Sequence, residues 1–500
     1  MFPVVRLFCR VCCLFAVSSW FSYADEVTPT TESRPNIVFI YADDMASWAM
    51  GAMEHPIVQT PNLDRLADEG VIFTNAYNQG GWHGAICVAS RAMLNTGQFL
   101  WRAKNTMDRG FPQSGVAFDA AERDRYESGF WSRQVNANGY TTYFAGKWHV
   151  DARNVDGLAY DCVPVEPLFD RFGIIRPGGM PPTLESSYDR PHEGDEDAWS
   201  PFDPQYQGHW SGGQHWAEVL AESSIDMIDA ADEPFFMYLA FNSPHDPRQA
   251  PKEFVDRYPQ ERMDVPPNFL PDNPHRDAMQ NPRDLRDERL APYPRTEYSV
   301  RVHRREYYAI ISHMDAQIGR MLDALEQSGK RQNTVIIFTA DNGLALGAHG
   351  LFGKQSLYDH SVKVPLIVSG IGIPKQKRID TPVYMQDIMP TALELAGQPV
   401  PEPVQFKSLL PLMRGERTQQ YASIYGAYQQ AQRMVRQGDF KLIVYPRSQT
   451  LLLFDLKNDP HETVNLADNP GYSEKIKELL AELRKLQSEA GDPLTFDLSM

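Results

Sequence analysis

The chain has 500 residues, of which 42% are hydrophobic and 23% are charged. These are the fractions of ordinary globular proteins, which argues against wholesale disorder, collagen and coiled coil. Lysine and arginine number 48 against 65 for aspartate and glutamate, so the net charge is -17. Nucleic-acid binders are usually basic, so no nucleic acid is expected as a partner. No apolar run of about 18 residues follows the first 25, so no membrane span is expected.

The N-terminus predicts a secretory signal peptide over residues 1–24. Arg6 supplies the positive charge, an apolar stretch follows, and Ser22-Tyr23-Ala24 forms a small-x-small cleavage site. A buried N-terminal helix is the alternative interpretation. The predicted localisation is therefore secreted or periplasmic.

The cysteines predict a fold held by its core. Cys9, Cys12 and Cys13 lie within the predicted signal, which leaves Cys87 and Cys162. A secreted domain stapled by disulfides would contain more cysteines. A Cys87–Cys162 bridge is one interpretation of the remaining pair, but the motif around Cys87 argues against it.

Strands and helices alternate along the first 400 residues. In chain order the pattern predicts a strand at 36–41, a helix that begins at Thr60-Pro61 and ends at Gly70, a strand at 140–145, a helix at 214–230, a strand at 235–241, a helix at 305–328, and strands at 334–339 and 364–369. Such alternation is typical of an α/β domain with a largely parallel sheet. Residues 151–213 and 258–300 have little periodicity and are interpreted as long surface excursions.

The pattern changes beyond about residue 400. Residues 440–445 and 451–454 predict short strands, and residues 473–489 predict an amphipathic helix. These elements indicate a small C-terminal α+β subdomain. The predicted organisation is a signal peptide at 1–24, a catalytic α/β domain at 35–395 and a C-terminal subdomain at 400–495.

Polar residues follow four of the predicted strands. They are Asp43 and Asp44, Lys147 and His149, His245, and Asp341 and Asn342. Taken singly each is a weak signal, because an Asp-Asp pair is more often a turn and a lone histidine is more often structural. Ligands of open α/β sheets bind beyond the carboxyl ends of the strands, so the coincidence indicates one site.

The residue types at these strand ends suggest a metal-assisted hydrolysis. Three carboxylates and one amide oxygen suit Ca²⁺ or Mg²⁺, and a flexible coordination number favours Ca²⁺. Lys147, His149, His245 and Lys354 supply cations and proton donors. This combination fits hydrolysis of an anionic ester.

The segment from Cys87 to Gly97 carries the sharpest signal. Residues 90–95 predict a short helix that ends at Gly97, with Cys87 at its N-terminus and Arg91 one turn on. The helix dipole and free amides there favour negative charge. The alternative is that Cys87 is a small buried hydrophobic residue.

Two motifs resemble those of the type I sulfatase family of the alkaline-phosphatase-like superfamily. The signature C-x-P/A-S-R followed by T-G matches Cys87, Ala89, Ser90, Arg91, Thr96 and Gly97. The signature G-Y-x-T-x-x-x-G-K-W-H matches Gly139, Tyr140, Thr142, Gly146, Lys147, Trp148 and His149. The resemblance runs from about Pro35 to the C-terminal helix. Ala89 replaces the commoner proline, and Val150 departs from the usual Leu-Gly.

The resemblance implies a large mixed, mostly parallel sheet sandwiched by helices. It also implies that a formylglycine-generating enzyme oxidises Cys87 to formylglycine (3-oxoalanine), whose hydrate is the nucleophile. The implied Ca²⁺ ligands are Asp43, Asp44, Asp341, Asn342 and the modified Cys87. Arg91 and Lys147 would hold the formylglycine hydroxyls, and His149 would take a proton from one of them. His245 and Lys354 would bind sulfate oxygens, with His245 as proton donor to the leaving alcohol.

The expected activity is release of inorganic sulfate from a sulfated substrate. Five aromatic residues of the first excursion could stack on sugar rings, which favours a sulfated carbohydrate: Trp199, Phe202, Tyr206, Trp210 and Trp216. They could equally pack the loop or cage the ammonium of choline. Trp82, His83 and Trp101-Arg102 are further candidates for the pocket wall. The alternatives are a choline sulfatase, a phosphodiesterase or phosphonate hydrolase, and a non-catalytic protein that binds sulfated glycans.

Overall fold

The computed structural model of the chain describes Met1 and residues 34–110, 119–150, 165–176 and 184–497. Residues 2–24 of the predicted signal peptide and Cys162 lie outside these residues. No helix among the described residues is long and apolar enough to cross a membrane.

Sixteen strands and twelve α-helices make up the described part of the chain. The strands are β1 Asn36–Asp43, β2 Gly70–Phe73, β3 Ala76–Tyr77, β4 Gly80–Gly81, β5 Thr141–Lys147, β6 Arg171–Arg176, β7 Phe235–Pro244, β8 Thr334–Ala340, β9 Lys363–Val364, β10 Leu366–Gly370, β11 Lys377–Ile379, β12 Val383–Tyr384, β13 Ser423–Tyr428, β14 Gln432–Gln437, β15 Phe440–Tyr445 and β16 Thr450–Asp455. The helices are α1 Pro61–Asp68, α2 Ile86–Thr96, α3 Leu100–Gly110, α4 Ala120–Glu127, α5 Trp131–Ala137, α6 Trp216–Ala230, α7 Lys252–Val255, α8 Glu297–Gln327, α9 Asp359–Val362, α10 Ile388–Leu395, α11 Leu410–Met413 and α12 Ser473–Ala490.

The main sheet has eight strands in the order β11-β2-β10-β8-β1-β7-β5-β6. The five strands from β8 to β6 are parallel to one another, and β10 runs antiparallel to both of its neighbours. Every residue of β1 and β7 is buried, as the continuous apolar runs of these strands require of a sheet covered on both faces. Helices α6 and α8 pack against β7, and α5 packs against β5. The predicted α/β fold with a mixed, mostly parallel sheet is confirmed.

A second sheet has five strands in the order β16-β15-β14-β13-β4. Strands β13 to β16 form an antiparallel meander, and α12 packs against three of them. The fifth strand, β4, comes from much earlier in the chain and pairs in parallel with β13. The segment just before Cys87 is therefore tied to the C-terminal sheet.

Several element boundaries differ from the prediction. Helix α1 ends at Asp68, and Gly70 instead begins β2, where a Cβ atom would lie 2.2 Å from the carbonyl oxygen of Val368. Helix α8 begins at Glu297, because Thr296 caps it in a reciprocal pair with Ser299. The predicted surface excursion at 258–300 is wrong in part.

Inside that excursion, Asp287 and Glu288 are buried. A buried ion pair joins Glu288 to Arg295 at 2.6 Å, which explains how a segment of charged residues without periodicity enters the interior.

Candidate active site

Cys87 lies in the first turn of α2 and is 2% exposed. Its Sγ atom is 3.3 Å from Oδ1 of Asp43, at the end of β1, and 3.6 Å from Oδ1 of Asp44. It is also 3.5 Å from Oδ1 of Asn342, which follows β8. The carboxyl ends of two adjacent parallel strands thus present oxygen atoms to one sulfur atom, as the sequence predicts.

Each of three buried cations contacts a carboxylate of this cluster. Lys147 forms an ion pair with Asp43, and both side chains are fully buried. Lys354 Nζ lies 2.5 and 2.7 Å from the two carboxylate oxygens of Asp44 and 3.1 Å from the Cys87 sulfur.

The third cation, Arg91, joins three elements. Its Nε and Nη2 atoms both lie 3.0 Å from Oδ2 of Asp341, and its Nη1 donates to the carbonyl of Lys147 at 2.8 Å. The guanidinium lies 4.6 Å from the ring centre of Tyr41, a cation–π contact that also uses the apolar part of the group. Arg91 therefore fixes the relative positions of α2, β5 and the end of β8.

The charges of the cluster shift the ionisation of its members in opposite directions. Burial favours protonation of Asp43, but Lys147, His245 and Arg91 outweigh it and hold the pKa of Asp43 well below its ordinary value. Burial raises the pKa of Asp44 to about 7; Lys354 opposes this rise, and the carboxylate of Asp43 adds to it. The pKa values of these two adjacent carboxylates thus shift in opposite directions, because more cations surround Asp43 than Asp44.

The Cys87 thiol is held in its neutral form. Burial, and then the charges of Asp341 and Asp43, raise its pKa well above the ordinary value of a cysteine. A reactive cysteine needs a lowered pKa, because the thiolate is the nucleophile. The thiol itself is therefore a poor nucleophile in this position.

The two predicted histidines lie at the same cluster. His245 Nε2 is 3.5 Å from Oδ2 of Asp44, and its Nδ1 is 2.8 Å from the carbonyl oxygen of Asp246. His149 is 4% exposed and has a φ of 49°, in the left-handed region that side chains rarely adopt. Asp44, with a φ of 67°, shares this strain, which typically persists where surrounding contacts fix a functional residue.

Burial lowers the pKa of both imidazoles well below the ordinary value. Lys147 and Arg91 add to the effect at His149, and Lys354 adds to it at His245. Both rings are therefore neutral at neutral pH in this arrangement.

The sequence did not reveal a group of residues on the outer side of His245. Arg286 Nη2 lies 3.2 Å from Nε2 of His245, and its Nη1 lies 3.2 Å from Oδ2 of Asp246. Arg286 also pairs with Asp287, which accepts a hydrogen bond from Gln355 at 2.8 Å. Asp246 could have been found as the neighbour of His245, but Arg286 and Asp287 lie in the segment without periodicity and carry no local signal.

The amino-acid sequence matches a known protein family over most of its length. The profile of the sulfatase family matches residues 35–398, and that of the N-sulphoglucosamine sulphohydrolase C-terminal region matches residues 347–489.

The chain belongs to the sulfatase family.

Two relatives show how similar this sulfatase is to other members of the family. It is 29% identical over 477 residues to a sulfatase of Formosa agariphila, covering 90% of this chain and 87% of the relative. It is 25% identical over 535 residues to the N-acetylglucosamine-6-O-sulfatase of Bacteroides thetaiotaomicron, covering 92% and 87%. The protein is accordingly an enzyme that hydrolyses sulfate esters.

The fold of the sulfatase is shared with solved structures. One of them, determined in complex with its substrate D-glucosamine-2-N,6-O-disulfate, superposes with a TM-score of 0.69 at 23% identity, covering 92% of this chain and 99% of the other. This likeness confirms the alkaline-phosphatase-like fold.

The acidic cluster of the sulfatase has the composition of a metal site. Ligand atoms of Asp43, Asp44, Cys87 and Asp341 all lie within 4.8 Å of one another. Burial, and then the charge of Asp43, raise the pKa of Asp44 and of Asp341, and a bound cation would relieve this cost of holding several carboxylates together. The donor set around Cys87 therefore fits a divalent cation.

The remaining predictions concern aromatic side chains. Trp199 is buried with the Arg190 guanidinium 4.6 Å from its ring centre, so this ring packs the loop. Phe202 is 37% exposed. Trp82 is partly buried and contacts the edge of the His83 ring. Binding of sugar by residues 199–216 stays a prediction.

Proposed function

We propose that this sulfatase releases inorganic sulfate from a sulfated carbohydrate with a formylglycine made from Cys87 and a Ca²⁺ ion. The observation that carries the proposal is the position of the Cys87 sulfur, within 3.6 Å of three candidate ligand oxygens and 3.1 Å from Lys354. An oxygen-bearing group at residue 87 would meet both a cation and an anion-binding ammonium.

The electrostatics of Cys87 favour the modified residue over the thiol. A neutral, buried thiol does not supply the thiolate that nucleophilic cysteine needs. The hydrated aldehyde of formylglycine would supply an oxygen nucleophile and a means of releasing sulfate afterwards. The proposed maturation partner is a formylglycine-generating enzyme, which would act before folding buries Cys87.

Asp43, Asp44, Asp341, Asn342 and modified Cys87 would hold the Ca²⁺. All these donors are oxygens, which suit calcium better than zinc or copper. When bound, the ion would supply positive charge next to the nucleophile and a sulfate oxygen.

The cations of the chain would orient residue 87 and bind sulfate. Arg91 and Lys147 would hold the hydroxyls of residue 87, since both contact the carboxylates that flank it. Lys354 would bind a sulfate oxygen, because its ammonium already lies beside the sulfur of residue 87.

The two histidines would move protons in different steps of the reaction. His149 would remove a proton from residue 87 in the step that frees sulfate. His245 would donate a proton to the leaving alcohol, for which its ring, neutral in the arrangement described above, would first have to take up a proton. The ring lies next to the partly exposed Arg286. Solvent reaches this side of the cluster, so it is the side open to a leaving group.

The intact set of lysines and histidines supports turnover over the alternative of a non-catalytic glycan-binding protein. Lys147, His149, His245 and Lys354 all lie at the cluster, and mere binding would not require the two histidines. A choline sulfatase and a phosphodiesterase or phosphonate hydrolase remain the alternatives to be tested. The proposed organisation keeps the signal peptide at 1–24, which would direct the enzyme to the periplasm or the exterior, the catalytic domain at 35–395 and the C-terminal subdomain at 400–495.

Co-expression with a formylglycine-generating enzyme, followed by peptide mass spectrometry and a substrate panel, tests this proposal. The residue-87 peptide should carry an aldehyde, and sulfated sugars should be hydrolysed faster than choline sulfate or a phenyl phosphonate. Cys87→Ala should abolish turnover and leave the fold unchanged. A fully active preparation in which residue 87 is only a thiol would contradict the mechanism, and faster hydrolysis of choline sulfate would contradict the substrate class.

A further inference from the structure

A cleft of about 980 Å³ is lined on one side by Trp82, five residues before Cys87 in the chain. Its walls come from the segment before α2, from α3, from the turn between β13 and β14, and from the C-terminal residues 493–496. The side chains that matter for binding are Trp82, Lys104, Gln280, Gln429, Gln430 and Arg447.

The charge of this cleft is opposite to that of the protein. The chain has 65 acidic residues and a net charge of -17, yet no aspartate or glutamate is among the described residues that line the cleft. Lys104 and Arg447 line it instead. Lys104 is paired with Asp108 at 2.5 Å, whereas Arg447 is exposed and forms no ion pair with a described residue. The local field of the cleft therefore favours an anion.

The walls of the cleft are fixed to the catalytic cluster by hydrogen bonds. Gln432 donates through Nε2 to the carbonyl of Met279, next to Gln280, and to the carbonyl of Gln355, next to Lys354. Gln355 in turn donates to the carbonyl of Gly84, between Trp82 and Cys87. A ligand in the cleft would thus be held in a defined position relative to residue 87.

Of the two tryptophans in the cleft, Trp82 has the free surface. Trp101 is 5% exposed, its Nε1 donates to Tyr425, and the Arg433 guanidinium lies 5.2 Å from its ring centre. Trp82 is only partly buried. One available indole with amide side chains around it suits a sugar ring, which stacks its apolar face and hydrogen-bonds through its hydroxyls.

The backbone of two lining glutamines supports a binding role. Gln280 and Gln429 have φ values of 54° and 45°, a conformation that costs a residue with a long side chain of order 1 kcal/mol. Both strained residues lie on the wall of the same cleft, and such strain concentrates at ligand-binding sites.

We propose that this cleft binds the sugar next to the one that carries the scissile sulfate, and that Arg447 and Lys104 recognise a sulfate or carboxylate on that sugar. The inference rests on the proposed function and makes the substrate an anionic oligosaccharide rather than a monosaccharide. It also disfavours choline sulfate, because the charge of Arg447, unpaired among the described residues, repels a quaternary ammonium and one free aromatic face does not form a cage.

The test compares substrates of different length in variants outside the catalytic cluster. The probes are 4-nitrophenyl sulfate and size-fractionated mono-, di- and tetrasaccharides prepared from chondroitin sulfate, heparin and a sulfated algal galactan. We expect kcat/KM on the preferred tetrasaccharide to fall about fivefold in Trp82→Ala and about threefold in Arg447→Gln. Activity on 4-nitrophenyl sulfate should not change, which also shows that the variants are folded.

Two control variants carry the same kinds of substitution at positions away from the cleft. Phe172→Ala removes an exposed aromatic ring of β6, and Arg484→Gln removes an exposed charge of α12; neither residue lines the cleft. Both variants should hydrolyse the tetrasaccharide as the wild type does. Tetrasaccharide kinetics in Trp82→Ala and Arg447→Gln equal to those of the controls would overturn the inference.

Binding separates this inference from the proposed function. Tetrasaccharide affinity is measured by calorimetry in a Cys87→Ala background, where no turnover occurs. Weaker binding on addition of Trp82→Ala supports the cleft even if the matured enzyme hydrolyses none of the sulfate esters, a result that would refute the function alone. If no tetrasaccharide binds, or if Trp82→Ala and Arg447→Gln leave binding unchanged, the cleft is not a glycan site.

Discussion

Lys354 Nζ lies 3.1 Å from the sulfur of Cys87, although the two residues are 267 positions apart in the chain. The same ammonium contacts both carboxylate oxygens of Asp44, so it is held firmly in place. Burial would lower the pKa of Lys354, but Asp44 and the other acids outweigh it and raise the pKa well above the ordinary value. A permanent positive charge thus faces residue 87, where the proposed chemistry develops negative charge.

The first prediction concerns the metal. Asp341→Asn preserves the shape of the side chain but removes a charge from the ligand set, and calcium affinity depends on that charge. We expect the Ca²⁺ concentration for half-maximal activity to rise at least about tenfold. Titration of Ca²⁺ into chelator-treated enzyme measures it, and Asp323→Asn, at an exposed position of α8, is the control. Reactivation by Zn²⁺ but not by Ca²⁺ or Mg²⁺ would show that the metal assignment is wrong.

The second prediction concerns His245. If His245 protonates the leaving alcohol, His245→Ala should affect a sugar sulfate far more than a phenol sulfate, because a phenolate leaves without proton assistance. We expect a difference of about 100-fold between the two kcat/KM losses. Steady-state kinetics on both substrates measures it. Equal losses on the two substrates would rule out this role.

The third prediction concerns His149. If it acts on residue 87 after sulfate transfer, His149→Ala should slow the release of sulfate from the enzyme whichever alcohol has departed. Intact-mass analysis of rapidly quenched reactions should then detect enzyme heavier by one sulfate group. Finding that adduct in His245→Ala alone would mean that the two roles are reversed.

The fourth prediction concerns Arg91. Arg91→Lys keeps the charge but cannot contact Asp341 with two nitrogens while donating to the carbonyl of Lys147. The resulting displacement of α2 relative to β5 should lower kcat/KM about 100-fold. Turnover of 4-nitrophenyl sulfate measures the loss, with Arg484→Lys as the matched control. Wild-type activity in Arg91→Lys would show that the guanidinium fork is dispensable.

The fifth prediction concerns the stability of the C-terminal region. Asp492 accepts two hydrogen bonds from Arg433, at 2.5 and 2.8 Å, and one from Tyr425 at 2.8 Å. Both charged side chains are fully buried, so Asp492→Asn leaves Arg433 without its counter-charge and should lower the free energy of unfolding by about 3 kcal/mol at pH 7. Urea unfolding followed by circular dichroism measures it, with the exposed Asp468→Asn as control.

The difference in the free energy of unfolding between wild type and Asp492→Asn should depend on pH in a defined direction. Burial favours protonation of Asp492, but Arg433 outweighs it and lowers the pKa below the ordinary 3.8. A carboxyl whose pKa is lowered by folding stabilises the fold above its unfolded pKa and loses this contribution as the pH falls through the folded value. The gap between wild type and Asp492→Asn should therefore be constant above about pH 5 and shrink below pH 4. A gap that grows on acidification would contradict the assignment.

The sequence by itself determined the fold class and predicted which residues lie together in the acidic cluster around Cys87. Continuous apolar runs such as 235–241, bounded by turn residues, predict buried central strands, and in a parallel sheet their carboxyl ends meet at one edge. That geometric rule brings Asp43, His245 and Asp341 together without any knowledge of loops. The motif around Cys87 completed the cluster because its helix begins at that edge.

Only the tertiary structure decided which distant segments enclose the cluster. Arg286 and Asp287 approach His245 from a stretch without periodicity, where charge pairing rather than hydrophobic pattern determines the path of the chain. The pairing of β4 with β13 joins Trp82 to the C-terminal sheet, and two-residue strands leave no sequence signal. Periodicity reports which face of an element is buried; contacts between polar loops depend on the whole fold and cannot be read from local pattern.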